Sequence, residues 1–387
     1  MLPSTRTLQS GTVVAFATGL SWYRTLRGAA VFKLGSFLTP SPEPLLGMDV
    51  SACSVKLVEL GRSRSGELVL ERLAQGDLQP GWIVDGHIEH FDEVAEVVRQ
   101  VVRSSGSRTR QVAMALPVSG VITRTLALPA GLSDREQLIR VEAEAVQNLA
   151  FSLDEVSLDF CQLGASVHVP GDVEVFMAAA RKEGVFERQG LADAAGLKPV
   201  VMDVDTHASR LAAGRVIEAL YPPGMDVLVA LFEVGAWVTR LQLMRQGALV
   251  YERQQPGGGV QLTQRIVGQF GFSFDEAETR KRSGELPNEY PSLVLQPFLQ
   301  ERAQDMLRTL QYGFTSTPYS QVDLILLAGA SAALPGLSAV VTQTTAFPCR
   351  VINPFEAMAI SAAGRWSAPD APAYLTATGL ALRRFYR

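Results

Sequence analysis

Two stretches decide the fold: Gly47-Met48-Asp49-Val50-Ser51-Ala52-Cys53-Ser54-Val55-Lys56-Leu57-Val58-Glu59-Leu60 and Phe232-Glu233-Val234-Gly235-Ala236-Trp237-Val238-Thr239-Arg240-Leu241. Each sets a carboxylate at the end of an apolar run, then small residues, then a second apolar run. That order predicts a hairpin with a turn of small side chains. Small residues let backbone N–H groups approach a phosphate, and a carboxylate beside them can hold Mg²⁺ through water. One such hairpin is a weak signal, because Asp49 is also a residue type that ends strands and Lys56 also fits a solvent-facing position. Two of them, followed by Leu326-Leu327-Ala328-Gly329-Ala330-Ser331, form a constellation.

The chain has 387 residues, 47% hydrophobic and 19% charged, with a net charge of −4. That length exceeds one small core and predicts two domains or one composite domain. Acidic and basic residues number 39 and 35, so no overall basic field exists and no nucleic-acid partner is expected. Four His without metal spacing and three scattered Cys (Cys53, Cys161, Cys349) argue against a zinc site and a disulfide framework. Sparse Cys fits a reducing cytosol. No run of about 18 apolar residues occurs, so no transmembrane helix is expected.

Residues 1–44 stand apart. Arg6, Arg24, Arg27 and Lys33 come with no acidic residue before Glu43. Trp22, Leu26, Ala29, Ala30, Leu34 and Phe37 recur at helical spacing, although Lys33 interrupts the apolar face. The readings that stay open are a weak interfacial helix for anionic lipid, a signal peptide, though no clear small-residue cleavage site follows Gly11–Leu20, and a disordered leader or an over-long start. Thr39-Pro40-Ser41-Pro42-Glu43-Pro44 reads as a linker.

In the body, Leu45–Leu60 and Leu68–Leu73 read as a hairpin, and Phe91–Arg103 has helical spacing. Gln111–Leu116 and Val121–Leu128 read as strands. Ser133-Asp134-Arg135-Glu136 is a capping-box pattern that starts a helix. Val156–Leu163 and Val173–Ala180 form a strand pair, then a helix runs from Lys182 to Ala195. Pro199–Val204 is a strand leading into a helix to about Leu220. The second half repeats the order: strands at 226–232, 237–244 and 248–253, then helices at 260–270, 273–282 and 291–314. A strand at 322–327, a helix near 334–343 and a strand at 349–351 follow, with helices expected at Phe355–Gly364 and Tyr374–Leu382. Strand clusters followed by helices, occurring twice, predict a duplicated α/β fold.

The paired hairpins resemble the actin-like ATPase superfamily, in which two related halves close around a nucleotide. Within it, Gly47–Leu60, Asp203-Val204-Asp205, Gly258-Gly259-Val260-Gln261-Leu262-Thr263, Leu326–Leu337 and Thr376–Leu382 resemble, in that order, segments of the type IV pilus assembly protein PilM family. The resemblance covers roughly Leu45–Leu382. It implies duplicated ribonuclease-H-like halves with an inserted subdomain like that of the cell-division protein FtsA. The corresponding domains are a leader and linker at 1–44, the first half at 45–111 and 200–225, the insert at 112–199, the second half at 226–353, and C-terminal helices at 354–387 returning to the first half.

The resemblance also implies ligands and partners. ATP and Mg²⁺ are the implied cofactors, bound between the halves. Asp49, Ser51, Ala52, Cys53, Ser54, Lys56, Glu233, Gly235 and Ala236 would surround the phosphates, with Asp49 and Glu233 holding Mg²⁺ through water. Gly258, Gly259, Glu278, Lys281, Gly329, Ala330 and Ser331 would border the nucleoside, although Glu278 and Lys281 also read as a surface pair. Asp203 and Asp205 either cap the following helix or orient an attacking water. Ser51, Glu233, Trp237 and Ala330 add bulk where the family has smaller or shorter residues, which predicts slow or no hydrolysis. The implied partner is the N-terminal cytoplasmic peptide of PilN, lying beside the insert, with other pilus platform proteins, a peripheral membrane contact and a homo-oligomer also implied. The location is cytoplasmic, at the inner membrane, in support of pilus biogenesis and twitching motility. Two alternatives are a small-molecule kinase of the same superfamily and a component of a type II secretion platform.

Overall fold

The computed structural model describes residues 43–148, 152–166, 169–222, 224–361 and 368–385. The readings of the leader, at 1–42, lie outside these residues. The strands are β1 (Leu46–Val50), β2 (Ser54–Arg62), β3 (Leu68–Asp77), β4 (Ile83–Val84), β5 (His87–Ile88), β6 (Gln111–Leu116), β7 (Val121–Pro129), β8 (Val156–Ala165), β9 (Asp172–Arg181), β10 (Lys198–Val204), β11 (Leu228–Val234), β12 (Val238–Arg245), β13 (Ala248–Pro256), β14 (Leu324–Ala328), β15 (Cys349–Val351) and β16 (Ala359–Ile360). The helices are α1 (Phe91–Ser105), α2 (Asp134–Asn148), α3 (Lys182–Ala194), α4 (Asp205–Leu220), α5 (Gly259–Phe270), α6 (Phe274–Ser283), α7 (Gln296–Ser316), α8 (Leu337–Thr345) and α9 (Leu375–Leu382).

The chain divides into two compact units. Of the described residues, those up to 212 and those within 358–361 and 376–385 form the first, and those within 213–357 and 368–375 form the second. The main sheet of the first unit has the order β10-β6-β1-β2-β3-β16, and the sheet of the second has β13-β12-β11-β14-β15. In each, three antiparallel strands (β1–β3, β11–β13) are joined through their first member to two parallel ones (β6 and β10, β14 and β15). Strand order and direction therefore repeat.

In the first unit, Leu46, Met48, Leu57 and Met114 share a buried core with Val94, Val98 and Val101 of α1 and Val185 and Leu191 of α3. Ala113, Ala115 and Val201 instead pack with Ala208 of α4 and Leu380 of α9. β6 is thus covered on both faces, which explains its uninterrupted apolar run, Val-Ala-Met-Ala-Leu. In the second unit, Phe232, Leu243 and Leu327 pack against Leu262, Phe298, Leu310 and Val341. Its β12–β13 turn has Gln246 and Gly247 both at positive φ (50° and 78°), the requirement of a two-residue type I′ hairpin.

A separate three-stranded sheet, β7-β9-β8, carries α2 on one face through Val141, Ala145, Val175 and Met177. The capping box that starts α2 forms as read: Glu136 accepts from the Ser133 N–H at 2.8 Å and from its hydroxyl at 2.6 Å. The segment that builds this sheet is shorter than the stretch 112–199 expected for the insert. β6 lies in the main sheet between β1 and β10, and α3 packs in the main core. Periodicity marks a strand or a helix but does not name its neighbour.

A second difference concerns Phe355–Gly364, expected as a helix. Its described part is instead a turn followed by the two-residue β16, which pairs parallel with β3 through Ala359 and Ile360. Ala357, at φ 56°, stops helical continuation, and the open edge of β3 supplies hydrogen bonds that the local sequence does not reveal. Among the described residues no helix is long and apolar enough to cross a membrane.

Candidate functional site

Since β1, β6 and β10 run parallel, their C-terminal ends share one edge of the sheet, where ligands of open α/β sheets gather. Asp49 stands near the end of β1 and faces Lys56 across the hairpin. Lys56 is buried, its Nζ 4.0 Å from Asp49 Oδ2, and it donates to the Ser54 hydroxyl at 2.6 Å. Ser51 closes the turn: its N–H and its hydroxyl each donate to the Ser54 carbonyl at 3.0 Å. The turn Ser51–Cys53 therefore caps a strand pair that carries a carboxylate and a buried ammonium side by side.

Asp205, at the start of α4 beyond β10, accepts from the Val118 N–H at 2.9 Å and so ties the ends of β6 and β10 together. Asp203 differs. It is wholly buried, accepts from Arg383 Nε at 2.5 Å and from the Val204 N–H at 2.8 Å, and burial pushes its carboxyl up against the opposing pull of Arg383. The expectation that Asp203 orients a water is corrected: its carboxylate is committed to a buried ion pair. Asp205, just past the strand and partly buried, is the one of the two not committed to that pair.

In the second unit the turn after β11 is the hub. The Gly235 N–H donates to the Val238 carbonyl, while the carbonyls of Gly235 and Ala236 receive the N–H groups of Gly259 and Val260, all at 3.0 Å. Ser331 donates its hydroxyl to the Gly235 carbonyl at 3.1 Å. A Cβ at Gly258 would lie 2.4 Å from that same carbonyl oxygen, so residue 258 must be glycine. Gly329, at φ 87°, lies as close beneath Val234, where a Cβ would meet its carbonyl at 2.5 Å. Ala330 opens the short turn Ala330–Ala333 that follows.

Glu278 and Lys281 of α6 join this cluster. Lys281 donates to Glu278 at 2.6 Å, to the Thr263 hydroxyl at 2.7 Å and to the Gly259 carbonyl at 3.3 Å. Burial pushes the Glu278 carboxyl up, but Lys281, Thr263 and Arg282 outweigh it and leave it below the usual range. Glu233, at the end of β11, accepts from Gln242 Nε2 at 3.3 Å. Trp237 is 49% exposed at the tip of the turn.

The structure thus gathers Asp49, Ser51, Ala52, Cys53, Ser54 and Lys56 in one unit, and Glu233, Gly235, Ala236, Gly258, Gly259, Glu278, Lys281, Gly329, Ala330 and Ser331 in the other. Among the described residues no group of three or more His, Cys, Asp or Glu could hold a metal.

The sequence reading missed a cavity of about 280 Å³ in the first unit, between the end of β6, the β4–β5 turn, β9 and α3. Leu116, Pro117, Ile122 and Ala180 form apolar wall, and Arg188 lines it while only 2% exposed. A signal existed: Val185, Arg188 and Leu191 are spaced three apart, which sets an arginine on the buried stripe of α3.

Residues 47–385 match the family described as type IV pilus assembly protein PilM. A chain of the PilM–PilN type IV pilus biogenesis complex is 28% identical with a TM-score of 0.72, over 89% of this chain and 99% of that one. The ethanolamine utilization protein EutJ from Carboxydothermus hydrogenoformans shares the fold, at 17% identity and a TM-score of 0.53, over 89% of this chain and 90% of that one. The repeated sheet order and these neighbours give the actin-like ATPase fold. By the match across most of its length, this chain belongs to the type IV pilus assembly protein PilM family.

Proposed function

We propose that the chain is an ATP-binding adaptor at the cytoplasmic face of the inner membrane that captures the N-terminal tail of PilN for pilus assembly and twitching motility. The observation that carries the peptide reading is the cavity in the first unit together with the edge strand beside it. β7 pairs with β9 alone within its sheet, and Ser119, Gly120 and Ile122, at its start, line the cavity. An extended peptide can add to such an edge by main-chain hydrogen bonds and place side chains into the cavity. The likeness to a chain of the PilM–PilN complex supports PilN as the occupant.

For the nucleotide, the first unit offers Asp49 with the turn Ser51–Ser54 and the second offers Glu233 with the turn Gly235–Ala236, each a carboxylate for hydrated Mg²⁺ beside backbone that would face phosphate. Gly258, Gly259, Gly329, Ala330 and Ser331 would border the nucleoside, with Glu278 and Lys281 behind them. Asp205 remains as the carboxylate for a water. Ser51, Glu233 and Ala330 enlarge positions where phosphoryl transfer depends on close placement, so binding outlasts turnover.

Titration with a PilN N-terminal peptide, with and without Mg-ATP, tests the adaptor reading. Deleting the small sheet at residues 121–181 should abolish peptide binding. A deleted protein that stays folded and binds as tightly as the intact chain rules it out.

A further inference from the structure

Arg188 presents a conflict that the fold does not resolve by itself. Its guanidinium is almost wholly buried, and only Nη2 has a partner, the Gly86 carbonyl at 2.9 Å. Nε and Nη1 are buried with no hydrogen-bond acceptor among the described residues. A buried charged donor left unpaired is costly, so its retention needs an acceptor from elsewhere. The cavity it lines is the route by which one arrives.

The surrounding charges select the kind of acceptor. Burial lowers the basicity of Arg188, while Glu187, Asp49 and Asp205 act on it as countercharges. Asp85 and Glu183 line the same cavity. An incoming carboxylate would lose its hydration and meet these acids. A neutral carbonyl oxygen loses far less hydration and carries no charge for these acids to repel, and an extended peptide running along β7 carries one per residue.

We propose that Arg188 is the polar anchor of the peptide site, donating Nε–H and Nη1–H to main-chain carbonyl oxygens of the bound extended peptide. This rests on the peptide reading of the cavity and adds to it the recognising residue and the chemistry recognised. Specificity for the peptide's side chains then falls to the apolar wall, while Arg188 demands an extended backbone at a set depth.

The test uses the full chain, calorimetric titration with a PilN N-terminal peptide, and thermal melts to establish folding. Three variants separate the claims. Gly184→Leu fills the cavity from α3, where a Cβ meets only Leu116 at 3.8 Å, and leaves Arg188 in place. Arg188→Met removes the donors, and Arg188→Lys keeps the charge and a donor for the Gly86 carbonyl. Gly184→Leu should block binding, Arg188→Met should raise Kd about 10–100-fold, and Arg188→Lys should fall between. Replacing peptide amides by esters, one at a time, weakens single carbonyl acceptors. At least one position should lose affinity with the intact chain and not with Arg188→Met, or with Arg188→Lys where the Met variant does not fold.

If Gly184→Leu binds as the intact chain does, the cavity is not the peptide site and the peptide reading falls. If Gly184→Leu blocks binding but folded Arg188 variants bind normally, or no ester position couples to residue 188, the anchor alone is overturned. Loss of the Mg-ATP thermal shift in Arg188→Lys with peptide binding intact would assign the arginine to nucleotide instead and likewise overturn it.

Discussion

Arg383, near the C-terminus, reaches Asp203 at the end of β10, with Nε 2.5 Å from Oδ2 and both side chains wholly buried. The pair ties α9 to the main sheet of the first unit. Removing one member leaves the other charge buried. Asp203→Ala should therefore cost about 3–5 kcal/mol. The double substitution Asp203→Leu with Arg383→Met should restore most of it. Urea unfolding of the three proteins checks both, and a single variant that unfolds at the parent's midpoint would refute the buried-pair account.

Two glycines hold the same region at backbone contact. A Cβ at Gly379 would lie 1.7 Å from the Ala208 carbonyl oxygen, and one at Gly47 would lie 2.1 Å from that of Ala377. Neither obstacle is a flexible side chain, so β1, α4 and α9 must move apart. Gly379→Ala and Gly47→Ala should each destabilise by about 1–3 kcal/mol or more, the range of overpacked cores. Gly268→Ala, on α5 with nothing near its Cβ, should be neutral or stabilising in the same melts.

Asp49→Ala should remove most of the Mg-ATP thermal shift, since it deletes the carboxylate beside the Ser51–Cys53 turn. Lys56→Met should weaken it as well, because Lys56 supplies the buried cation of that hairpin. An unchanged shift in both variants removes the phosphate assignment of the first hairpin.

ATP hydrolysis should stay below about one turnover per second, the low end of enzyme rates. Steady-state phosphate release measures it. Ser51→Gly with Ala330→Gly should raise the rate if crowding limits placement, whereas equal rates place the limit elsewhere.

His207 makes stability depend on pH. Burial, with Arg210 and Arg383 close by, holds its imidazole well below the ordinary 6.5, and its ring lies 5.6 Å from that of Phe176. The unfolded chain binds the proton more readily, so stability is fully present above pH 6.5 and declines as pH falls below it. The slope contributed is at most about 1.4 kcal/mol per pH unit. His207→Phe should flatten this part of the stability profile, and an unaltered profile would show that another group titrates there.

Much of this protein was readable along the chain. The two hairpins needed only apolar runs, small turn residues and a carboxylate, all local features. The α2 capping box needed four residues, and the turn at Gln246-Gly247 needed two. Family motifs added the site residues because their order along the chain is preserved. What the chain could not show was which elements meet. Val-Ala-Met-Ala-Leu announces a buried strand, but only the tertiary structure places β6 between β1 and β10 and so shortens the insert. Asp203 and Asp205 are equivalent in a linear reading. The fold separates them because β10 ends at Val204, so Asp203 stays inside the buried sheet while Asp205 opens α4, and Arg383 arrives from far along the chain to claim Asp203. Arg188 and its cavity likewise depend on the β4–β5 turn, the end of β6 and the consecutive β9 and α3 converging at one point. Local propensity and pattern act over a few residues, whereas burial, ion pairing and the fate of an unpaired donor are set by neighbours that only folding brings together.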